Sequence, residues 1–92
     1  MKPNFIEEMR KEYEAAQADQ SKQYMVVIME LPNTPMAEVI INPRPNFEAK
    51  ATYYINVYNE LGALKVNPNV KFVAFKFVDS LEEANEFIQD FS

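Results

Sequence analysis

The 92-residue chain contains no histidine, no cysteine, no tryptophan and a single glycine. Without histidine or cysteine it has no Ser-His-Asp or Cys-His pair, no thiolate nucleophile and no ordinary zinc site. One glycine cannot form the glycine-rich loops that bind phosphates in dinucleotide and P-loop sites. These absences exclude most enzyme classes that a short sequence can reveal. We therefore predict no catalytic residue, no metal ligand and no cofactor.

Basic residues are also few. Nine lysines and arginines stand against fourteen aspartates and glutamates, which gives a net charge of −5. Nucleic-acid binding requires a basic surface that displaces counterions from phosphates, and the largest basic cluster here is the pair Arg10-Lys11. We expect no nucleic-acid partner, whereas the negative charge favours a protein partner with a basic surface.

Long apolar runs are missing as well. The run Tyr24–Met29 is far shorter than the roughly 20 residues that span a bilayer. The first eight residues lack the apolar segment of a secretory signal. We expect no membrane association and a cytoplasmic location.

Three segments show the apolar periodicity of helices. The first covers residues 4–20, and its pattern fades after Ala16, so we expect residues 1–22 to hold a peripheral helix. The second covers 47–61 and the third follows Ser80. The apolar stripes consist of Phe5, Ile6, Met9, Tyr13 and Ala16 in the first helix, Phe47, Ala51, Tyr54, Ile55, Tyr58 and Leu61 in the second, and Leu81, Ala84, Phe87, Ile88 and Phe91 in the third.

Residues with capping chemistry flank these helices. Asn4 with Glu7, and Ser80 with Glu83, have the spacing of a capping box. Asn46 is placed to begin the second helix. Gly62 follows its last apolar residue, where a left-handed C-cap residue belongs.

Three further segments predict strands. Residues 24–31 are apolar on both faces, which is typical of a central strand. Residues 36–42 predict a second strand, although Thr34-Pro35 could equally begin a short helical turn. Residues 70–78 predict the third. The element order is α-β-β-α-β-α in a single α+β domain over residues 1–92, with a three-stranded mixed sheet in the order 2-1-3 and the helices packed mainly on one face.

A sheet covered on one face leaves an apolar second face, which soluble monomers rarely expose. We therefore predict a homodimer that buries this face or pairs an edge strand, with Met25, Met29 and Phe75 near the contact. Lys71 and Lys76 would protect one sheet edge. Tyr54 and Tyr58 share the stripe of the second helix and are interpreted as core, whereas Tyr53 lies off it and is a candidate surface contact.

The last helix is acidic. Its candidate patch consists of Glu82, Glu83, Glu86 and Asp90. The simplest interpretation is that the first carboxylates complement the helix dipole and the others are solvated. A basic partner is an alternative. Mimicry of DNA phosphates is a third, and it requires the carboxylates of the first and last helices to share one face.

The middle of the chain contains a series of short motifs: Ile40-Ile41-Asn42-Pro43, then Tyr53-Tyr54 and Tyr58-Asn59, then Leu64-Lys65-Val66-Asn67 and the aromatic strand. It resembles small uncharacterised proteins carried by phages and prophages of low-GC Gram-positive bacteria. The resemblance implies an accessory role in a phage or host cell and no site residues.

Two function classes remain. The first is a non-enzymatic interaction protein that acts by binding another protein. The second is a small enzyme or ligand-binding domain that uses carboxylates, tyrosine and lysine in a cleft beside the sheet. A deep pocket where tyrosine, glutamate and lysine converge would favour the second class, and a flat apolar patch would favour the first.

Overall fold

The computed structural model describes residues 4–91. Met1–Pro3 and Ser92, the two ends of the predicted 1–92 domain, lie outside the described residues. The described chain forms helices and one antiparallel sheet, so the predicted α+β class is confirmed. The helices are α1 (Phe5–Ala18), α2 (Phe47–Val57) and α3 (Leu81–Gln89), and the strands are β1 (Tyr24–Glu30), β2 (Glu38–Pro43), β3 (Ala63–Leu64) and β4 (Asn67–Val78).

The sheet has four strands in the order β2-β1-β4-β3, and every neighbouring pair is antiparallel. The prediction of a three-stranded mixed sheet is therefore wrong. The additional strand, β3, has two residues and pairs with the start of β4. The open alternative at Thr34-Pro35 is settled in favour of a strand, because residues 38–43 pair with β1 along its length.

The central strand is β1. Val26 pairs with Ile41 of β2 on one side and with Lys76 of β4 on the other. Lys71 and Lys76 were expected to protect a sheet edge. Lys71 has a partner on each side, Glu30 of β1 and Ala63 of β3, whereas Lys76 lies beyond the part of β4 that β3 pairs with, so its outer side is an edge of the sheet. The two outer strands are the regular β2 and the two-residue β3.

The helices divide between the two faces of the sheet. On the first face, α1 and α2 cover the side of β1 that carries Met25, Val27 and Met29. On the second face, Ala84 of α3 packs against Val26 and Val78. The helices were expected mainly on one face, but α3 lies on the face opposite to α1 and α2. Since β1 is apolar on both faces, its sequence does not indicate which helix covers which face.

Helix α1 is not peripheral. Phe5, Met9 and Ala16 are all buried in the core of the first face. The Phe5 N–H donates to the Glu60 carbonyl over 2.7 Å, which fixes the start of α1 to the turn after α2. The polar residues after Met9, which prompted the expectation, face solvent, whereas Ala16 in the same half of the helix is buried.

An aromatic cluster fills the first face. The Phe72 ring lies 4.5 Å from that of Phe5 and 4.9 Å from those of Tyr54 and Tyr58, measured between centroids. Edge-to-face pairs of this kind add to the stabilisation from buried area. Asn42, a buried polar residue, donates from Nδ2 to the Tyr54 hydroxyl over 3.4 Å.

Two predicted caps are confirmed. The Asn4 Oδ1 accepts from the Glu7 N–H over 2.8 Å, and the Ser80 Oγ accepts from the Glu83 N–H over 3.1 Å. The Glu83 carboxylate also accepts from the Asp79 N–H over 2.8 Å. These bonds satisfy backbone donors that a helix start leaves without partners.

The predicted end of α2 is wrong. The helix stops at Val57, and Leu61 is 87% exposed instead of lying on the buried stripe. Gly62 does have the predicted positive φ of 79°, but it belongs to the turn that leads into β3. Its carbonyl accepts from the Phe72 N–H over 2.8 Å.

The start of α2 also differs from the prediction. The Asn46 side chain makes no capping bond, because a 3-10 turn over Arg44–Asn46 leads directly into the helix. Arg44 has a different role. Its guanidinium donates to the backbone carbonyls of Ala16, Gln17 and Asp19 at the end of α1 and to that of Lys22 in the loop before β1, at distances from 2.6 to 3.2 Å. Arg44 thereby ties α1 to the segment between β2 and α2.

Candidate functional site

A groove of about 470 Å³ lies on the second face, between the β1–β2 loop and α3. We call it the α3 groove. Its lining is apolar throughout and consists of Ile28, Pro35, Met36, Ala37, Val39, Ile88 and Phe91. Concave apolar surfaces of this size are typical of binding sites.

The β1–β2 loop supplies one wall of the α3 groove. The Thr34 Oγ1 accepts from the Met36 N–H over 3.3 Å, which holds a tight turn after the loop prolines. The Met36 side chain is left 76% exposed. Methionine is flexible and polarisable, and it adapts to partners of different shape.

The end of α3 supplies the other wall. The Phe91 N–H donates to the Ile88 carbonyl over 3.0 Å, so the chain continues the helical turn past Gln89. The Phe91 ring lies 5.2 Å from that of Phe87, and 45% of its surface is exposed. The Phe91 ring therefore packs against Phe87 on one side and is exposed to solvent on the other.

Exposed carboxylates lie along the helix that forms one wall of the α3 groove. Asp90 is next in sequence to the lining residue Phe91, and Glu82 and Glu86 are exposed on α3. Glu38 is also exposed, but its side chain lies on the first face of the sheet, because it pairs with Met29 of the first-face core.

Glu83 differs from the other members of the predicted acidic patch. It is half-buried, accepts from the Asp79 N–H and lies 3.8 Å from the Lys76 Nζ. Lys22 pairs with Asp79 at 3.1 Å, and this hydrogen-bonded carboxylate raises the pKa of Lys22. Two lysines thus offset the charge at the start of α3, whereas Glu86 and Asp90 toward its end are exposed.

A second groove, of about 440 Å³, lies on the other side of the molecule near the start of α1. Glu8 and Glu60 are its charged lining residues, and Gly62 and Phe72 form part of its floor. Neither groove is lined by a tyrosine. Tyr54 and Tyr58 are buried in the core, where burial raises the pKa of both phenols, that of Tyr58 to about 12.

The four candidate interface residues do not form a surface. Met25 and Met29 were expected near a dimer contact, but both are buried in the core under α1 and α2, and Phe75 packs against the same core with its ring 5.9 Å from that of Phe5. Tyr53 is exposed, as its position off the stripe predicted, and the Lys50 Nζ lies 6.0 Å from its ring. The structure therefore groups three of these residues inside the core and leaves Tyr53 apart from them.

The acidic helices are also separated. Because α1 and α3 lie on opposite faces of the sheet, their carboxylates do not form the shared surface that DNA mimicry requires. Among residues 4–91, no group of three carboxylates is arranged to hold a metal ion. Within the same range, no helix has the length and apolar character needed to cross a membrane.

Sequence reasoning missed the α3 groove. Met36 was assigned to a strand, and Phe91 was assigned to the buried stripe of its helix. The available signal was the pair of prolines around Asn33-Thr34, which predicts a protruding loop with an apolar residue at its end. The loop alone does not indicate a groove, because the second wall is the end of α3 and its position cannot be read from the sequence.

No protein-family model, no curated protein and no solved structure matches the chain. The resemblance to phage proteins stays a prediction. The geometry of the site is therefore the ground for assigning function.

Proposed function

We propose that this protein is a non-enzymatic interaction protein that binds another polypeptide in the α3 groove. The observation that carries the proposal is the apolar lining of that groove, with Met36 and Phe91 projecting from its two walls. Exposed apolar surface rimmed by polar residues marks interaction sites on soluble proteins. An accessory role in a phage or host cell belongs to the same proposal, on the ground of the resemblance.

The chemistry of the groove indicates the partner. A volume of about 470 Å³ accommodates one or two large apolar side chains. The chain has a net charge of −5, and Asp90 is next in sequence to the lining residue Phe91; opposite charges across an interface speed association and fix orientation. The partner segment therefore carries bulky apolar residues next to lysine or arginine.

Selection from a displayed library of random twelve-residue peptides tests this proposal. The chain has no tryptophan, so the fluorescence of a tryptophan placed in a selected peptide reports binding directly. We expect the selected peptides to combine aromatic or aliphatic residues with basic ones. Because the attraction is partly electrostatic, we expect their affinity to fall as salt concentration rises.

Variants of the groove locate the site. Met36→Glu and Phe91→Ser should each weaken peptide binding at least about tenfold, the effect of losing one buried contact. Val66→Glu is the matched control, since Val66 is 89% exposed in the β3–β4 turn, outside the groove. Peptides that bind all three variants as tightly as the unmodified protein would contradict the proposal, as would a selection without basic residues.

A further inference from the structure

The outer edge of β2 has unpaired backbone groups. The Arg44 N–H donates to the Gln23 carbonyl over 2.8 Å, and these two residues lie opposite each other in the β1–β2 register. This bond shows which residues of β2 direct their backbone groups toward β1. Backbone groups alternate in direction along a strand. Ile40 and Asn42 therefore direct their N–H and C=O groups toward β1, whereas Val39 and Ile41 direct theirs away from the sheet. No described element outside β1 forms a backbone hydrogen bond with this edge.

The edge also lacks the features that usually prevent strand pairing. Edge strands are commonly short, interrupted by bulges, or protected by lysine. The opposite edge follows this rule, because β3 has two residues with an irregular register, and the part of β4 beyond it carries Lys76. In contrast, β2 has six residues, pairs with β1 without a bulge and contains no lysine; its charged residue, Glu38, and its proline, Pro43, stand at its two ends and leave residues 39–42 unprotected.

We propose that β2 pairs with β2 of a second copy of this chain, antiparallel, around a two-fold axis at Ile40. Val39 then lies opposite the second copy's Ile41, and Ile41 opposite its Val39. Both outward-facing residues form closely hydrogen-bonded pairs, so every N–H and C=O that they direct outward finds a partner. The result is a continuous eight-stranded sheet.

The side chains agree with this register. Val39 and Ile41 are 40% and 38% exposed on the second face, and the pairing joins four such β-branched side chains into one apolar row. Cross-strand pairs of this kind are stabilising, whereas like charges directly opposite are not. Glu38 lies opposite Asn42 of the second copy, so the two Glu38 carboxylates stay apart.

A neighbouring register is less suitable. An axis at Ile41 would place Pro43, which has no N–H, opposite Val39 and leave the Val39 carbonyl without a donor. The contact is short, since β2 has six residues. Small interfaces belong to the weak, transient class. We expect a dissociation constant in the micromolar range.

The first test is the mass in solution by light scattering between 5 and about 500 µM, a range chosen for affinities of small interfaces. We expect the mass to rise from 10.7 kDa toward twice that value. Ile41→Lys should stay monomeric, because a charge on the edge prevents pairing, and Val66→Lys should dimerise like the unmodified protein. Ile41 does not line the α3 groove, so this result does not depend on peptide binding.

The second test fixes the register. The chain has no cysteine, so Ile40→Cys introduces a single thiol on the proposed axis, with its Cα about 4.5 Å from that of its counterpart. Mild oxidation should link Ile40→Cys into a covalent dimer at low micromolar concentration, whereas Glu38→Cys, on the same face of the strand, should link slowly. A mass of 10.7 kDa throughout, dimerisation of Ile41→Lys, or equal linking of the two cysteine variants would each overturn the proposal.

Discussion

The two faces of the sheet are built from the same strands and differ in how completely they are covered. The first face holds two helices and an aromatic cluster around Phe72. The second holds the nine-residue α3, whose buried contacts centre on Ala84. The comparison shows that an apolar strand face does not by itself indicate a closed core. Here one face is closed by two helices, and the other leaves Met36, Val39 and Ile41 exposed.

Matched truncations measure this difference most directly. Phe47→Ala, on the first face, removes a fully buried ring that packs edge-on to Phe77 at 5.0 Å, and should lower the free energy of unfolding by about 3 to 5 kcal/mol. Phe87→Ala removes a half-buried ring on the second face and should cost about 1 kcal/mol. Urea unfolding of both variants provides the values. Equal losses would mean that the two faces contribute alike to stability.

The attachment of α1 to the first face depends on Arg44. Arg44→Met removes the charged donor to four carbonyls at and just after the end of α1, and we expect a loss of about 2 kcal/mol. Amide hydrogen exchange should accelerate in the last turn of α1 and stay unchanged in α3. Arg44→Lys should be nearly as unstable as Arg44→Met, since an ammonium lacks the planar array of donors. Unchanged exchange in α1 would show that side-chain packing alone holds the helix.

The buried phenols make the first face sensitive to alkali. An unfolded tyrosine ionises near pH 10, whereas burial keeps Tyr58 protonated until about pH 12. Stabilisation from the neutral phenol is complete below pH 10 and decreases as the pH rises toward 12, by roughly 2 kcal/mol. Tyr58→Phe should flatten this decrease in chemical unfolding measured between pH 7 and 12. At pH 7 the variant should change stability little, because the hydroxyl contacts only the Met29 sulfur, at 3.9 Å. A decrease as steep as that of the unmodified protein would assign the alkaline effect to other groups.

The smallest effect concerns the turn that closes the first face. At Gly62, φ is +79°, and an added Cβ would lie 3.4 Å from the Phe72 Cβ. Gly62→Ala should cost about 1 kcal/mol, because left-handed backbone disfavours a side chain. Leu61→Ala, next to it and exposed, is the control and should change the melting temperature within error. Equal melting temperatures for the two variants would remove the conformational argument for glycine.

Local features of the fold could be predicted from the sequence. The stripes of α1 and α2, the cap at Ser80 and the positive φ of Gly62 all depend on residues within a few positions of one another. These interactions are set by backbone geometry and side-chain type, which the sequence displays directly.

Features that depend on distant residues could not be predicted. The carbonyls that Arg44 contacts lie more than twenty positions away along the chain, and nothing near Arg44 marks it as a ligand of α1. Strand β3 is too short to show a pattern. Met25 and Met29 were placed at an interface because β1 is apolar on both faces, and only the positions of α1 and α3 show which side is covered. For the same reason, the α3 groove could not be predicted from the β1–β2 loop or from α3 taken separately.

The position of β1 has a consequence for how the protein is synthesised. Val26 finds its β2 partner, Ile41, within one hairpin, but its β4 partner, Lys76, is translated only after the whole of α2. Pairing between distant segments forms late, since the intervening chain must first be closed into a loop. While a ribosome is still adding residues 44–78, the nascent chain therefore presents one open side of its most apolar strand. Cellular factors that shield unfinished sheets would act during that interval.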